Sequence, residues 1–245
     1  MGFSIIIPAR YASSRLPAKL LMDIDGKTLI ENTYLRAIDS NAKRVIIATD
    51  DERIRKVALD FGAEVCMTDQ KHTSGTSRLS QVISDLNFED HEIIVNLQGD
   101  EPMMAPSALN QVASNIVSSG MSVATLCEKI KSSEEYFDEN CVKVVSNSRG
   151  KALYFSRSPV PAFRSNREVD LDLCYRHVGL YAYRAGFLKE YAMMTKSDLE
   201  VAEKLEQLTF LANGFDIHVE LANASTGYGV DTVSDLKKVK KEFQK

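Results

Sequence analysis

Three cationic side chains follow the first apolar segment of the chain and are suited to binding an anion. The segment Phe3–Pro8 is largely apolar, and Arg10, Arg15 and Lys19 follow it among small residues and prolines. Small residues let backbone N–H groups approach an anion, and arginine and lysine donate charge-assisted hydrogen bonds to phosphate oxygens. The run therefore predicts a phosphate-binding loop at the end of a strand. A solvated basic surface loop is the alternative.

The known glycine-rich phosphate-binding fingerprints are missing from the sequence. No G-x-x-x-x-G-K-[ST] motif occurs, and the only G-x-G, formed by Gly227 and Gly229, lacks the remainder of the dinucleotide pattern. The sequence therefore disfavours a P-loop kinase and a dehydrogenase.

Carboxylates follow a second apolar segment and could hold a metal ion. Asp100 and Glu101 come directly after the buried-type run Glu92–Gln98, and Asp231 lies ahead of a capped helix near the end of the chain. Oxygen ligands of this kind suit a hard cation such as Mg²⁺. We predict Asp100 and Asp231 as metal ligands. The alternatives are two acids in an ordinary turn and an acid next to an N-cap.

The elements that must position these residues alternate between strand and helix in the first half. Predicted strands at Phe3–Pro8, Arg44–Thr49, Glu64–Met67 and Glu92–Gln98 alternate with predicted helices at Thr28–Asp39, Glu52–Phe61, Ser77–Leu86 and Ser107–Ser118. Apolar runs without alternation suit parallel strands that are covered on both faces. The pattern predicts an α/β fold with a doubly wound, mainly parallel sheet, in which ligands collect at the carboxyl ends of strands.

The second half predicts a smaller β-rich insertion in the same domain. The predicted elements are a hairpin from Val142–Asn147 and Ala152–Phe155, a polar loop at Arg164–Asp172, a strand at Tyr175–Tyr183, a helix at Leu199–Leu211, a strand at Ile217–Leu221 and a last helix opened by the capping box Thr232–Asp235. No linker divides the chain, so residues 1–245 are interpreted as one domain with an insertion at about residues 130–190.

Composition restricts the class of protein further. The 245 residues carry a net charge of −4, which argues against a nucleic-acid or membrane-surface partner. No apolar run approaches the roughly 20 residues that span a bilayer, and the N-terminus lacks the features of a signal peptide. The 4 cysteines are far apart in sequence, which predicts reduced thiols and a cytoplasmic protein.

An ordered set of motifs resembles the 3-deoxy-D-manno-octulosonate (Kdo) cytidylyltransferases. The motifs, spread over nearly the whole chain, are PARYASSRLPAKLL in the first loop, SGTSR at Ser74–Arg78, LQGDEP around Asp100, YFSRSPVP at Tyr154–Pro161, RHVGLYAYR at Arg176–Arg184, LEQL at Leu205–Leu208 and GVDT at Gly229–Thr232. The resemblance implies a Rossmann-like nucleotidyltransferase core, usually dimeric and dependent on Mg²⁺. Such an enzyme makes CMP-Kdo and pyrophosphate from CTP and Kdo for lipopolysaccharide biosynthesis.

The resemblance also implies roles for individual residues. Ala9, Arg10, Arg15 and Lys19 correspond to CTP contacts, and Ser74, Gly75, Thr76 and Arg78 to the segment beside the cytosine. Arg15, Lys19 and Asp100 would carry catalysis, with Arg15 and Lys19 on the leaving pyrophosphate, while Asp100 and Asp231 would bind the metal. Gln98, Arg157, His177, Tyr181, Glu206 and Gln207 fall where the family binds the acidic sugar.

Several of these assignments have simpler structural alternatives. Arg157 could be a surface arginine at a strand end, His177 a core histidine, and Glu206 and Gln207 part of a solvated helix face. Two positions also depart from the family pattern: Ser77 stands where an acid is expected, and Thr209 where an arginine is expected.

These departures leave the acceptor sugar open between Kdo and its 8-amino analogue. A sialic acid cytidylyltransferase and a nucleotide-binding module without catalysis are the other readings of the chain.

Overall fold

The strands form where the sequence carries short apolar runs. A computed structural model describes residues 2–12, 16–72, 74–164 and 169–244. The strands are β1 (Phe3–Ala9), β2 (Asp23–Ile24), β3 (Lys27–Thr28), β4 (Arg44–Thr49), β5 (Glu64–Met67), β6 (Ile93–Asn96), β7 (Val123–Lys129), β8 (Lys143–Ser146), β9 (Ala152–Ser156), β10 (Tyr175–Arg184) and β11 (Ile217–Leu221).

The helices follow the strands through most of the chain. They are α1 (Leu29–Ile38), α2 (Glu52–Asp60), α3 (Gly75–Asp85), α4 (Pro106–Ser119), α5 (Ser133–Phe137), α6 (Ala185–Tyr191), α7 (Asp198–Glu203), α8 (Gln207–Ala212) and α9 (Val233–Phe243), with short 3₁₀ turns at Lys19–Leu21 and Leu171–Leu173. No helix in the described part of the chain is long and apolar enough to cross a membrane.

The main sheet has the strand order β11-β7-β10-β6-β1-β4-β5. β6, β1, β4 and β5 are parallel neighbours, whereas β10 runs antiparallel between β6 and β7. β8 pairs with β10 and β9 pairs with β8, so the hairpin is an extension of the same sheet. The predicted mainly parallel α/β sheet is confirmed. The range 130–190 contains both this hairpin and the inner strand β10.

Both faces of the sheet are buried, which explains the continuous apolar runs of its strands. Ile5 and Ile7 of β1 pack into one core layer with α1, α2, α4 and α9, and Ile6 points to the other layer with α3, α6 and α8. Successive side chains of a strand point to opposite faces. A strand that is covered on both sides therefore needs apolar residues at every position.

The predicted single helix at 199–211 is wrong. The chain forms α7 and α8 instead, separated by Lys204 in the left-handed conformation with φ of 56°. The break is stabilised by the Lys204 N–H, which donates to the Glu200 carbonyl at 2.8 Å. It redirects the chain so that Glu206 and Gln207 open α8. No glycine or proline marks this turn, and the amphipathic periodicity continues across it.

The capping box predicted at the start of the last helix is confirmed. The Thr232 hydroxyl accepts from the Asp235 N–H at 3.2 Å, and the Asp235 carboxylate accepts from the Thr232 N–H at 3.0 Å. This reciprocal pair satisfies N–H groups that have no partner within the helix. The cap fixes where α9 begins, and Asp231 lies directly before it.

Candidate functional site

A polar cleft lies beyond the carboxyl ends of β1 and β6, the place where the topology collects ligands. Its lining includes most of the residues predicted to contact the nucleotide and the metal: Ala9, Arg10, Lys19, Ser74, Gly75, Arg78, Asp100 and Asp231. Gln98, predicted to contact the sugar, lines this cleft as well. These residues come from five separate parts of the chain. Arg15, predicted to act with Lys19, lies outside the described residues.

Lys19 is held between the two predicted metal ligands. Its Nζ donates to the Asp100 carboxylate, to Asp231 Oδ1 at 2.9 Å and to the Val230 carbonyl at 2.9 Å. Burial lowers the pKa of this amine, but the charges and hydrogen bonds of Asp100 and Asp231 outweigh burial, and the pKa lies above its ordinary value. Lys19 is therefore a charged ammonium ion that joins the first loop to both acidic segments.

The acidic segments are also joined through their backbones. The Val230 N–H donates to the Asp100 carbonyl at 2.8 Å, which brings the GVDT segment against the end of β6. Glu128 of β7 supports the same segment by accepting from the Thr226 N–H at 3.0 Å and from Arg176 at 2.5 Å. These bonds hold the two acidic segments next to each other.

The oxygen atoms around Lys19 suit a hard cation. Two carboxylates and one carbonyl converge on a single positive charge, and Mg²⁺ takes ligands of this type. Within the described residues no group of three or more His, Cys, Asp or Glu side chains could hold a metal ion. Mg²⁺ is commonly bound by one or two carboxylates, with waters and substrate phosphates as its other ligands. Asp100 and Asp231 fit such a site.

Glu101, next to Asp100, differs from it in environment. Burial raises the pKa of its carboxyl to about 8, and the charges of Asp100 and Asp231 act in the same direction. The Glu101 carboxyl is therefore mostly protonated near neutral pH. Consequently it adds little negative charge beside the two predicted ligands.

The start of α3 forms one wall of the cleft. The Ser74 hydroxyl accepts a hydrogen bond from the Ser77 N–H at 3.1 Å, and the Ser77 hydroxyl accepts one from the Ser74 N–H at 3.4 Å. Ser77 therefore completes a reciprocal capping box in the place where the family pattern has an acid. A Cβ on Gly75 would lie 3.3 Å from the Pro8 ring and 3.5 Å from the Gln98 amide. A side chain at this position would therefore press on the Pro8 ring and make the wall tighter.

Arg78 has a structural partner at the edge of the cleft. The side chain is 3% exposed, and its guanidinium donates to Asp50 Oδ2 at 2.8 Å and to the Thr68 hydroxyl. Asp50 follows β4 and Thr68 follows β5, so this arginine ties α3 to the ends of two strands. Arg78 lines the cleft and also anchors the helix that carries Ser74 and Gly75.

A second pocket adjoins the first and shares Gly75 and Gln98 with it. The other lining residues are Thr76, Asn96, Gly179, Tyr181, Tyr183, Glu206, Gln207 and Phe210. Of the residues predicted to bind the sugar, Gln98, Tyr181, Glu206 and Gln207 lie here. The two pockets therefore adjoin at the carboxyl end of β6.

Glu206 is fixed by hydroxyl donors from two other elements. The Thr76 hydroxyl donates to Oε2 and the Tyr191 hydroxyl to Oε1, both at 2.5 Å. The neighbouring Gln207 amide nitrogen is buried, and in the described part of the chain it has no hydrogen-bond partner. A buried donor without a partner costs free energy unless a ligand or water accepts its hydrogen bond. Gln207 is therefore ready to donate to a ligand in the pocket.

A bulge in β10 shapes this pocket. The register against β7 shifts between Val178 and Tyr181, which leaves two residues of β10 outside the regular pairing. One of them, Gly179, lines the pocket. The Thr125 hydroxyl of β7 lies 2.9 Å from the Val178 carbonyl and thereby fills the gap in the ladder. Bulges are frequent next to binding sites because they redirect side chains.

His177 lies beside the second pocket, as part of its supporting wall. The centre of its ring lies 5.0 Å from the ring centre of Phe155 and 5.3 Å from that of Tyr181. Its Nε2 lies 3.2 Å from the Thr125 hydroxyl. Burial, with a smaller contribution from Arg176, lowers the pKa of His177 to about 3. The imidazole is neutral near pH 7, so it provides no positive charge for an acidic sugar.

Arg157 also lies away from the lining residues that the structure describes. Its Nε donates to the Glu203 carbonyl at 2.7 Å and its Nη1 to the Glu139 carbonyl at 2.9 Å. These contacts hold the end of β9 against the end of α7. The sugar-binding role of Arg157 and His177 remains a prediction from the resemblance.

Thr209, the second departure from the family pattern, is buried between α7 and α8. Its hydroxyl donates to Glu200 Oε2 at 2.6 Å and accepts from the Ser197 N–H at 2.9 Å. The hydroxyl therefore satisfies a buried carboxylate and the cap of α7. Neither departure adds a charge to the second pocket.

Sequence reasoning missed several residues of the site. His72 lines the first cleft, with its Nε2 2.7 Å from Gln81 Oε1, and Asn96 lines the second. His72 lies in the loop between β5 and α3, where its closeness to the Ser74–Arg78 motif was the available signal. Asn96 is the last residue of β6, so its strand-end position was an available signal. Asp50 gave the same signal at the end of β4.

The cationic loop and the paired carboxylates lie at the carboxyl ends of a mainly parallel sheet, an arrangement that suits a Rossmann-like nucleotidyltransferase. The family model described as Cytidylyltransferase matches residues 4–217. Two curated relatives, both named 3-deoxy-manno-octulosonate cytidylyltransferase, come from Ruthia magnifica subsp. Calyptogena magnifica and Haemophilus influenzae. The first is 62% identical and covers 99% of this chain and 100% of its own length, and the second is 50% identical and covers 98% of each.

A solved structure extends this similarity to the fold. It is described as CMP:2-keto-3-deoxy-manno-octonic acid synthetase complexed with CTP, and it is 42% identical with a TM-score of 0.92 over 100% of this chain and 99% of that chain. The chain belongs to the cytidylyltransferase family and, within it, to the 3-deoxy-manno-octulosonate cytidylyltransferases. The family predicted from the sequence motifs is thus confirmed.

Proposed function

We propose that this protein transfers CMP from CTP to the anomeric hydroxyl of Kdo and releases pyrophosphate. The observation that carries the proposal is the pair of adjoining pockets that share Gly75 and Gln98. A nucleotide in the first pocket and a sugar in the second would meet beside the Asp100–Asp231 pair. The names of the protein's relatives supply the identity of the two substrates.

The first pocket would bind and orient the nucleotide. Arg10 and Lys19 supply positive charge beside the open wall at Gly75, which suits a triphosphate. Transfer at the α-phosphorus requires the attacking oxygen and the leaving pyrophosphate to be in line. The rigid attachment of the acidic segments to β6 would maintain this alignment, and alignment alone can lower the barrier by several kcal/mol.

The second pocket would orient the sugar. The amides of Gln98 and Gln207 can donate to its carboxylate or hydroxyl groups, and the Glu206 carboxylate can accept from its hydroxyls. Thr76 and Tyr191 fix Glu206, so one orientation of the sugar is favoured. The anomeric hydroxyl would then face the nucleotide pocket.

We further propose that the enzyme depends on Mg²⁺, held by Asp100 and Asp231. When bound there, the ion would neutralise charge on the phosphates and lower the pKa of the attacking hydroxyl. The convergence of both carboxylates on the Lys19 ammonium supports this assignment, because it shows that the two acids can share one cation.

The remaining parts of the proposal concern the setting of the enzyme. We propose a homodimer that acts in the cytoplasm in lipopolysaccharide biosynthesis. All four cysteines are free thiols, in keeping with a reducing compartment.

Leu153 of β9 is 58% exposed, which suits a contact with a second copy through the β8–β9 hairpin. Light scattering on Leu153→Lys tests this contact, and a monomeric mass for the unmodified protein contradicts it.

An amine-bearing acceptor is the second candidate. Among the described lining residues of the second pocket, Glu206 is the charged side chain, and a carboxylate would attract an ammonium group such as that of 8-amino-Kdo. This alternative changes the acceptor and leaves the reaction class as proposed.

Pyrophosphate release tests the proposed function. The enzyme would be incubated with CTP and Mg²⁺ and, in parallel, with Kdo, 8-amino-Kdo or a sialic acid. Release with Kdo that a chelator abolishes supports the proposal, and preference for 8-amino-Kdo supports the second candidate. Asp100→Asn should abolish turnover, whereas Asp25→Asn, in an exposed turn, should leave turnover unchanged. Bound CTP without turnover on any of the three sugars would contradict a Kdo-type transferase.

A further inference from the structure

Lys19 occupies the position in which the paired carboxylates would hold a cation. Its side chain is 11% exposed, whereas Asp100 is 27% and Asp231 47% exposed. The ammonium group therefore lies inside the pair, and the carboxylates form the side that faces the cleft. All three of its contacts are oxygen atoms: the two carboxylates and the Val230 carbonyl.

These contacts use the full donor capacity of the amine. A lysine ammonium has three N–H donors and no acceptor, and Lys19 makes three hydrogen bonds to the acidic segments. With all three donors engaged, no N–H remains for a phosphate oxygen. In this arrangement Lys19 lines the nucleotide cleft but cannot donate to a triphosphate.

The ammonium and a metal ion would also compete for the same oxygens. Mg²⁺ binds oxygen at about 2.0–2.1 Å and demands near-octahedral geometry. Two positive charges between the same two carboxylates would repel each other strongly at this separation. A metal ion on Asp100 and Asp231 therefore requires Lys19 to leave at least one of them, and the flexible four-carbon stem of lysine permits such a movement.

We propose that Lys19 is a cation placeholder, which bridges Asp100 and Asp231 in the metal-free enzyme and moves to the nucleotide phosphates when a metal ion takes its place. The inference rests on the magnesium site of the proposed function. It gives one residue two successive partners. It also couples the two ligands, because the metal frees the ammonium that the triphosphate needs. Metal and CTP should consequently bind more tightly together than separately.

Metal binding without nucleotide tests the placeholder directly. Free Mn²⁺, measured by its electron paramagnetic resonance signal, would be titrated into the full-length protein in the absence of CTP. Lys19→Met should bind Mn²⁺ about tenfold more tightly than the unmodified protein, or about 1.4 kcal/mol. Lys27→Met, which removes an exposed lysine from β3, controls for the general loss of a positive charge. Addition of Asp100→Asn to Lys19→Met should remove the tight site.

The results separate the placeholder from the proposed function. Unchanged or weaker Mn²⁺ binding by Lys19→Met would overturn the placeholder role. A tight site that persists after Asp100→Asn would overturn it as well, because the metal would then bind elsewhere. Pyrophosphate release by the unmodified enzyme tests the transferase activity independently of either result.

Chemical labelling gives a second measurement that needs no Lys19 variant. Acetylation of each lysine would be followed by mass spectrometry in the unmodified protein. Lys19 should react slowly without metal, at least about tenfold faster with saturating Mg²⁺, and slowly again when CTP is added with Mg²⁺. Lys27 should react equally under all three conditions. A Lys19 rate that Mg²⁺ leaves unchanged would overturn the proposal even if the methionine variant failed to fold.

Discussion

Substitution of Asp50, the partner of Arg78, tests whether Arg78 acts mainly as an anchor of the site. Asp50→Asn keeps the size of the side chain and removes its charge. Arg78 is 3% exposed and Asp50 14% exposed, so the guanidinium cannot recover full hydration when its partner is neutralised. Loss of one partner of a buried ion pair costs about 3–5 kcal/mol. Asp50 Oδ2 accepts from Arg78 at 2.8 Å, and asparagine can still offer one acceptor oxygen to the guanidinium. We therefore expect a loss at or below the lower end of that range, about 2–3 kcal/mol.

Urea unfolding of the full chain measures this loss in the free energy of unfolding. In thermal unfolding, a loss of 2–3 kcal/mol in a chain of this size corresponds to a decrease in Tm of roughly 4–12 °C. Asp51→Asn is a matched control at the next position. Asp51 caps α2 and pairs with Arg53, which is 61% exposed, and asparagine caps helices as well as aspartate does. The control should therefore change the free energy of unfolding by less than about 1 kcal/mol.

The same variant should also weaken nucleotide binding, because Arg78 anchors the helix that carries Ser74 and Gly75. KM for CTP should rise. KM for the sugar should rise as well, because Gly75 and Thr76 of the same helix line the second pocket. A free energy of unfolding within about 1 kcal/mol of the unmodified protein would refute the anchoring argument. An unchanged KM for CTP in a destabilised variant would show that the pair stabilises the fold without positioning the cleft.

Three further predictions concern single side chains of the two pockets. Gly75→Ala places a methyl group 3.3 Å from Pro8 and should raise KM for CTP about tenfold in steady-state kinetics; an unchanged value would show that this wall does not touch the nucleotide. Glu206→Gln should lower kcat/KM for the sugar roughly ten- to hundredfold, the value of a charged hydrogen bond, while a CTP titration stays unchanged. The depressed pKa of His177 means that the unfolded chain takes up this proton first, so stability should fall as the pH drops from 6.5 towards 3, by up to about 1.4 kcal/mol per unit. His177→Phe should flatten that decline in urea unfolding measured across this range, and an equally steep decline would contradict a neutral imidazole at His177.

Much of the fold could be predicted because a strand that is buried on both faces appears in the sequence as a continuous apolar run. Strands β4, β5 and β11 have the predicted bounds, and each is a short apolar or β-branched run next to polar residues. No sequence pattern marks the helix break at Lys204, because lysine has no preference for the left-handed conformation and the apolar spacing continues past it. The place of β10 in the sheet depends on pairing with strands that are distant in sequence.

The positions of the residues in the first pocket could be predicted better than the positions of those around the second pocket, for a related reason. Asp100 and Lys19 follow strand ends or lie in the loop after one, and the topology brings strand ends together. Arg157 also follows a strand, but the carbonyls of Glu139 and Glu203 determine where its guanidinium points. A side chain directed by backbone atoms from two remote segments cannot be oriented from local sequence.

The two halves of the site differ in how much they must change when ligands bind. The sugar side is already bonded internally, with Glu206 held by Thr76 and Tyr191. On the nucleotide side, the backbone bond from Val230 to Asp100 holds the two acidic segments together, and Lys19 is the charged group whose partners change in the proposed exchange. In that proposal Lys19 neutralises the paired acids until a metal ion binds, and its charge is then available for the phosphates. The exchange would leave the hydrogen bonds that hold Glu206 in the second pocket unchanged.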